Sequence, residues 1–324
     1  MTRQWLVFAM VLFSIGLAGC SPQGSESPAS ESVESAPAVT EVVASVEEAA
    51  AGDSDEAKLA VAQDMLDAWT ALDWERVYDL FGEDGVLANM MIEPVVGNQA
   101  LRERLVTFEN GLERMDFIIL RMGVINGEVV VERIDSFDFN GKTGLVPVMG
   151  VMNIEGGQVK EWREYYDRYW LMSQMGVIEG EPPHPVESSE IIIDPAAETD
   201  ERRMAIAMSM LEAYETLNWD LAANLIADDG VVHYVEAEPM RGPDAMRAHV
   251  EKIGPKLSNV EFTIRNAGVL DGVVMLERVD EFDFNGHHAE IPVYGSMEIQ
   301  DDKIRVWREY YDHAQMRRGM GLEE

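Results

Sequence analysis

The chain has 324 residues, of which 47% are hydrophobic, and 60 acidic residues against 25 basic ones give a formal net charge of −35. The hydrophobic content suffices for buried cores, and the length is that of two typical domains with room for further segments. Such an acidic surface repels phosphate backbones and anionic lipid headgroups, which argues against nucleic acid as a partner and against membrane adhesion through charge.

The first twenty residues have the features of an export signal. Arg3 adds a positive charge near the N-terminus, and residues 5–17 form a short apolar run. The sequence Leu-Ala-Gly-Cys at 17–20 resembles a bacterial lipobox. In lipoproteins of this kind the cysteine is acylated and becomes the new N-terminus, which anchors the protein stably. We therefore expect lipidation at Cys20 and removal of residues 1–19, with the signal segment and lipobox spanning residues 1–20. The expected location is the cell envelope, with Ser21 favouring the outer membrane facing the periplasm.

A polar segment and a duplication make up the rest of the chain. Residues 21–55 are mostly Ser, Glu, Ala, Pro and Val, a composition that cannot bury enough apolar surface to order itself, and they are expected to be a flexible tether. Beyond them, Trp74 and Trp219 lie 145 positions apart, and 21 of the 41 residues at 127–167 recur at 272–312 in the same register. This period is that of a domain. We predict domains at 56–176 and 200–324, joined by a proline-containing linker at 177–199.

Both copies have the same order of predicted elements. Apolar residues recur at helical spacing over 59–72 and 204–217, and Asp73 and Asn218 are typical caps of second helices. A short strand, a third helix and four alternating segments follow. Hairpin turns are expected at Asn126-Gly127, Asn140-Gly141, Asp271-Gly272 and Asn285-Gly286. Helices followed by a four-stranded antiparallel meander predict an α+β domain, with a curved sheet wrapped on its helices.

One strand in each copy has charges on its apolar face. Alternate residues of a strand share a face, so Arg133 and Asp135 lie with two valines and a phenylalanine, and Arg278 and Asp280 repeat the pattern. Burying such charges is costly unless they are paired. The opposite face, which contains Glu132, is the more ordinary one.

The last strand supplies another carboxylate. Trp-Arg-Glu-Tyr-Tyr-Asp occurs at 162–167 and again at 307–312. Alternation from Val159 through Tyr165 places Asp167, and Asp312 in the second copy, on the face of the arginine. Two carboxylates beside one guanidinium in a dry cavity can act as a general acid–base pair, in which one takes a proton from water and the other gives a proton to a leaving oxygen.

Three motifs in each copy resemble the limonene-1,2-epoxide hydrolase family: Glu-Arg-x-Asp, Pro-Val-x-Gly and Trp-Arg-Glu-Tyr-Tyr-Asp. The order of elements resembles the cone of SnoaL-like, nuclear-transport-factor-2-like proteins. The resemblance implies addition of water to a small apolar epoxide, with no metal, cofactor or covalent intermediate. The roles it implies are bridging arginines at Arg133 and Arg278, acids at Asp135 and Asp280, and water-activating bases at Asp167 and Asp312.

The family also holds the reacting water with a Tyr and an Asn, two residues apart on an early strand. The first copy has Leu87 and Asn89 at these places, and the second has Val232 and Tyr234. Asn89 and the hydroxyl of Tyr234 are therefore the candidate water-binding groups, and the first copy is favoured as the active one. Since enzymes of the family pair through their sheets, the resemblance implies an intramolecular pseudo-dimer, monomeric once the lipid is removed.

A second function stays open at this point. The same cone hosts isomerases, polyketide cyclases and binding modules, so the chain could be a non-catalytic envelope lipoprotein that binds a small apolar ligand in the same pockets. The missing tyrosine favours this alternative, and the duplicated Arg-Asp-Asp set favours the enzyme. All six histidines follow residue 183, so metal catalysis common to both copies is not expected.

Overall fold

The computed structural model describes residues 53–180, 192–234 and 237–322. The lipobox at Cys20, the rest of the signal segment and most of the tether lie outside the described residues and stay predictions. Within the described ranges, no helix combines the length and the apolar character needed to cross a bilayer.

The first copy begins with helices and ends with a sheet and a short helix. Its helices are α1 (Asp55–Thr70), α2 (Trp74–Phe81), α3 (Asn98–Gly111) and α4 (Arg168–Gln174). Its strands are β1 (Val86–Asn89), β2 (Val95–Val96), β3 (Leu112–Ile125), β4 (Glu128–Phe139), β5 (Lys142–Glu155) and β6 (Gln158–Tyr165).

The second copy repeats this order. Its helices are α5 (Asp200–Glu215), α6 (Trp219–Leu225), α7 (Gly242–Ile253) and α8 (His313–Gly319), with a 3-10 turn at Gly254–Lys256. Its strands are β7 (Ile226–Tyr234), β8 (Met240–Arg241), β9 (Leu257–Leu270), β10 (Val273–Phe284), β11 (His287–Gln300) and β12 (Lys303–Tyr310).

Each copy contains one six-stranded sheet, in the order β2-β1-β6-β5-β4-β3 and, equivalently, β8-β7-β12-β11-β10-β9. The long strands form the predicted antiparallel meander, and β1 adds to it by pairing parallel with β6. The turn residues Asn126 and Gly127 have φ angles of 50° and 84°, as a tight two-residue hairpin requires. Asp73 caps α2 by accepting a hydrogen bond from the Arg76 amide, as predicted. The α+β fold and the two tandem copies are confirmed.

One face of each sheet packs on the helices of its own copy. In the first copy, buried Met65 and Leu66 of α1 belong to one apolar cluster with Val131 of β4 and Trp162 of β6. The second copy builds the same layer from α5, β10 and β12. Since α1 and α5 lie on the faces that carry Arg133 and Arg278, these arginines lie between the sheet and the helices.

The opposite faces of the two sheets contact each other, and that contact contains buried charge. The Tyr310 hydroxyl donates to Glu132 over 2.6 Å, and symmetrically the Tyr165 hydroxyl donates to Glu277 over 2.7 Å. Both glutamates are fully buried. Glu132 also accepts hydrogen bonds from the buried Arg121 in its own copy and from Ser296 in the other. The face of β4 that contains Glu132, which the sequence analysis interprets as ordinary, thus forms the contact between the copies.

Replacing Glu132 with Ala should destabilise the protein by about 3 kcal/mol or more, because the fully buried Arg121 loses the carboxylate that it contacts most closely. The measurement is the free energy of unfolding from urea denaturation. Glu75→Ala is the matched control, since its partner Arg102 is solvent-accessible and the Glu75 side chain is 75% exposed. That variant should change stability far less, because an exposed ion pair is screened by solvent. Equal small losses in both variants would contradict a structural role of Glu132.

Candidate active site

A buried arginine is at the centre of the site in the first copy. Arg133 is 1% exposed, and its Nε donates to Asp135 over 2.7 Å. Its Nη2 donates to Glu164 over 2.9 Å. The guanidinium carbon lies 5.2 Å from the ring centre of Phe117 and 5.6 Å from that of Trp162. The arginine therefore holds two carboxylates at once in aromatic surroundings, which strengthens both ion pairs.

The second carboxylate on Arg133 is Glu164, so the prediction of Asp167 was wrong. In the pairing of β5 with β6, Ile154 lies opposite Val159 but Asn153 lies opposite Glu161, which makes Lys160 an extra residue, a β-bulge. The bulge shifts the alternation by one. Val159 therefore shares its face with Trp162 and Glu164 rather than with Tyr165.

Asp167 and Asp312 instead link the two copies. Asp167 caps α4 by accepting from the Trp170 amide over 2.6 Å, and its other oxygen accepts from the His313 amide over 2.9 Å. Asp312 caps α8 and accepts from the Arg168 amide in the same way. Each carboxylate thus satisfies the first turns of two helices, one in each copy, and neither contacts a buried arginine.

Asp167→Ala should therefore lower the free energy of unfolding by about 1–2 kcal/mol, the usual contribution of an N-cap. Thermal unfolding of the purified chain measures this loss. Asp73→Ala provides the comparison, because Asp73 caps α2 without contacting the other copy. A larger loss for Asp167 than for Asp73 is expected. An Asp167 variant as stable as the wild type would contradict the linking role.

A glycine on β5 provides the space for the charged cluster. A Cβ atom at Gly150 would lie 2.7 Å from Arg133 Nη1, 2.9 Å from Glu164 Oε1 and 3.0 Å from Trp162 Nε1. In the second copy, a Cβ at Gly295 would meet the equivalent arginine and glutamate at 2.6 and 2.7 Å. The glycine that ends the Pro-Val-x-Gly motif is therefore needed because no side chain fits between the arginine and the glutamate.

Gly150→Ala should displace the Arg133–Glu164 pair by a few tenths of an ångström or more and reduce any activity of the first copy by about tenfold or more, since misplaced catalytic groups lose rate steeply. Gly295→Ala tests the second copy in the same way. Turnover by each variant, beside its circular dichroism spectrum, gives the answer. Full activity in a folded Gly150→Ala protein would show that the close packing is not required.

Arg133 lies at the wall of an apolar cavity of about 310 Å³. Its apolar lining comes from α1, α3, α4 and the sheet, and includes Trp69, Leu87, Leu105, Phe108, Phe117, Phe137, Val148, Trp162, Leu171 and Met175. The predicted Asn89 also lines it, and accepts a hydrogen bond from the Tyr166 hydroxyl over 3.2 Å. A small apolar molecule in this cavity would therefore meet Asp135, Glu164 and Asn89 together.

The second copy has the same charged cluster with different surroundings. Arg278 Nε lies 2.7 Å from Asp280, and its Nη2 donates to Glu309, which also accepts from Trp307 Nε1. Tyr234, the counterpart of Asn89, contacts the rings of Trp307 and Tyr311. Its hydroxyl lies 3.3 Å from that of Tyr214. An aromatic ring thus occupies the place that the amide has in the first copy.

Burial shifts the proton affinities of these groups. Desolvation raises the pKa of Glu164 to about 7, in spite of the neighbouring Arg133. It also raises the pKa of Asp135, and that of Asp280 to about 6. Although burial opposes its charge, Arg133 has a raised pKa because of Asp135 and Glu164, so it stays charged. Near neutral pH the two carboxyls of the first copy can therefore hold one proton between them, beside a permanently cationic arginine.

Comparison with known proteins places both copies in one family. The model of the limonene-1,2-epoxide hydrolase catalytic domain matches residues 56–176 and again residues 202–320. The chain belongs to this family. A solved LEH-like epoxide hydrolase from M. tuberculosis is 22% identical to it, over 37% of this chain and 90% of that one, with a TM-score of 0.35.

Two other solved structures are similar at lower identity. A hypothetical protein with a ketosteroid isomerase-like fold from Catenulispora acidiphila, in complex with trimethylamine, is 20% identical over 36% of this chain and 93% of its own, with a TM-score of 0.33. An NTF2-like protein of unknown function from Cytophaga hutchinsonii is 14% identical over 35% of this chain and 93% of its own, with a TM-score of 0.30.

The structure brings together Arg133, Asp135 and Asn89 as the sequence predicts, and likewise Arg278 and Asp280 in the second copy. Sequence analysis missed Glu164, Glu309 and the hydroxyl of Tyr166. A signal for them was present: Trp162, Glu164 and Tyr166 alternate on one face when the count starts beyond the bulge.

Proposed function

We propose that the first copy hydrolyses epoxides in a single step. Glu164 accepts a proton from a water molecule, whose oxygen forms a bond to one ring carbon. The carbon–oxygen bond of the ring breaks, and the departing oxygen receives a proton from Asp135, which gives a vicinal diol. Arg133 holds both carboxyl groups throughout. The observation that carries this proposal is the single buried guanidinium that presents two carboxyls to an apolar cavity.

The position of Asn89 supports different roles for the two carboxyls. Asn89 is the register partner of Glu164 across the parallel β1–β6 pair. Because its amide oxygen accepts from Tyr166, its amide nitrogen can donate to a water beside Glu164. Asp135 lies on β4, where Phe117 is its register partner on β3, and burial raises its pKa. The neighbouring amide of Asn89 therefore supports Glu164 as the base, which leaves Asp135 as the acid.

One proton shared between the carboxyls is the working state. The base must be ionised and the acid protonated, which is the arrangement that raised pKa values and a fixed cation allow near neutral pH. Below this range both carboxyls are protonated, and above it both are ionised. Catalysis should therefore fall on both sides of an optimum.

A second function is favoured in the second copy. Tyr234 fills the position of the water-holding amide with a ring that packs on Trp307 and Tyr311. These aromatic surroundings of Arg278 suit an apolar group better than a positioned water. We propose that the second copy binds a small apolar molecule and contributes little turnover.

Glu164→Gln and Asp135→Asn should each reduce epoxide turnover by about a hundredfold or more, the usual contribution of general acid–base groups. The substrates are a panel of small cyclic and aliphatic epoxides. The wild type should show a bell-shaped dependence of kcat/KM on pH, which neither variant retains. Glu309→Gln is the matched control in the second copy and should leave most activity. No turnover of any epoxide by a folded wild-type chain would refute the hydrolase and favour ligand binding in both copies.

A further inference from the structure

Two arginines other than Arg133 lie at the opening of the cavity in the first copy. Arg104 of α3 and Arg168 at the start of α4 both line the cavity and are both solvent-exposed. Residues that line a cavity and also reach solvent mark its entrance. Both guanidiniums oppose the burial-induced rise of the pKa of Tyr166, so their charge is felt at the cavity wall.

Within the described part of the chain, the side chains of both arginines are without a polar partner. Among the residues that the structure describes, no carboxylate forms an ion pair with Arg104 or Arg168, and neither side chain donates a hydrogen bond. In contrast Arg102, on the same helix as Arg104, pairs with Glu75 over 2.7 Å. In a chain with 60 acidic and only 25 basic residues, two cations left unpaired at one entrance are available for a ligand.

The second copy lacks this charge. At the positions 145 residues further on, His249 replaces Arg104 and His313 replaces Arg168. Burial lowers the pKa of both histidines, so their rings are mostly uncharged at neutral pH. The two copies therefore share the Arg-Asp-Glu cluster but differ in the charge at these two positions.

We propose that the first pocket takes an epoxide that also carries a carboxylate, with the epoxide at Arg133 and the carboxylate between Arg104 and Arg168. The part of the ligand between them would contact Leu171 and Met175, which line the same cavity. Guanidinium groups bind carboxylates through charge-assisted hydrogen bonds. This inference rests on the proposed function, since it names the substrate class of the same site.

The test compares an acid with its uncharged ester. The full chain in detergent, in a Glu309→Gln background, is assayed with epoxyhexanoate and with methyl epoxyhexanoate. The kcat/KM ratio of acid to ester should exceed one, and Arg104→His/Arg168→His should lower it by about fivefold or more, as expected for two partly exposed charge pairs. Arg102→His is the matched control and should leave the ratio unchanged.

Binding without chemistry separates this inference from the hydrolase. Calorimetric titration with hexanoate and methyl hexanoate should show tighter binding of the acid. The Arg104→His/Arg168→His variant should lose this preference. If no epoxide is turned over but this preference remains, the hydrolase fails and the anion site stands. If acid and ester are bound and turned over alike, or the double variant affects both equally, the anion site is refuted.

Discussion

A guanidinium removed from water costs several kcal/mol unless carboxylates surround it, and the first copy is organised around meeting that cost for Arg133. One partner, Asp135, comes from the same strand, while Glu164 comes from β6, on the far side of β5. Three strands must therefore be in register before the charge is compensated. Between them, Gly150 leaves the volume that the pair occupies. The same requirement repeats at Arg278, with Asp280, Glu309 and Gly295.

Neighbouring residues of β4 serve opposite faces of the sheet. Arg133 points to the cavity, and Glu132 points to the other copy, where it meets Tyr310 and Ser296. Both faces of this strand thus contain buried charge, whereas the number of hydrophobic residues in β4 alone would suggest a simple apolar core. The pocket and the contact between the copies share one rigid element, so a shift of β4 that disturbs one would disturb the other.

Much of the fold follows from local sequence. Asn-Gly and Asp-Gly pairs set the hairpins through residues with positive φ, and Asp73 and Asn218 set the helix starts through their caps. The shared face of Arg133 and Asp135 follows from strict alternation, because β4 pairs with β5 without interruption. In β6 a single bulge residue breaks that alternation. Counting without the bulge therefore predicts Asp167 beside the arginine, where the structure has Glu164. Local sequence does not encode a bulge, since the irregularity depends on how β6 pairs with β5.

The reciprocal bonds of Asp167 and Asp312 are nearly symmetric, but other parts of the contact are not. Arg163 reaches across to Glu277, whereas its counterpart Arg308 bonds to Glu298 within its own copy. In a dimer of two identical chains, each mutation appears on both sides of the contact. In a fused pair, a mutation changes only one of the two sides. Gene fusion therefore frees each half to acquire its own partner residues and its own pocket while the other half preserves the assembly, and the covalent link keeps the halves together at any dilution.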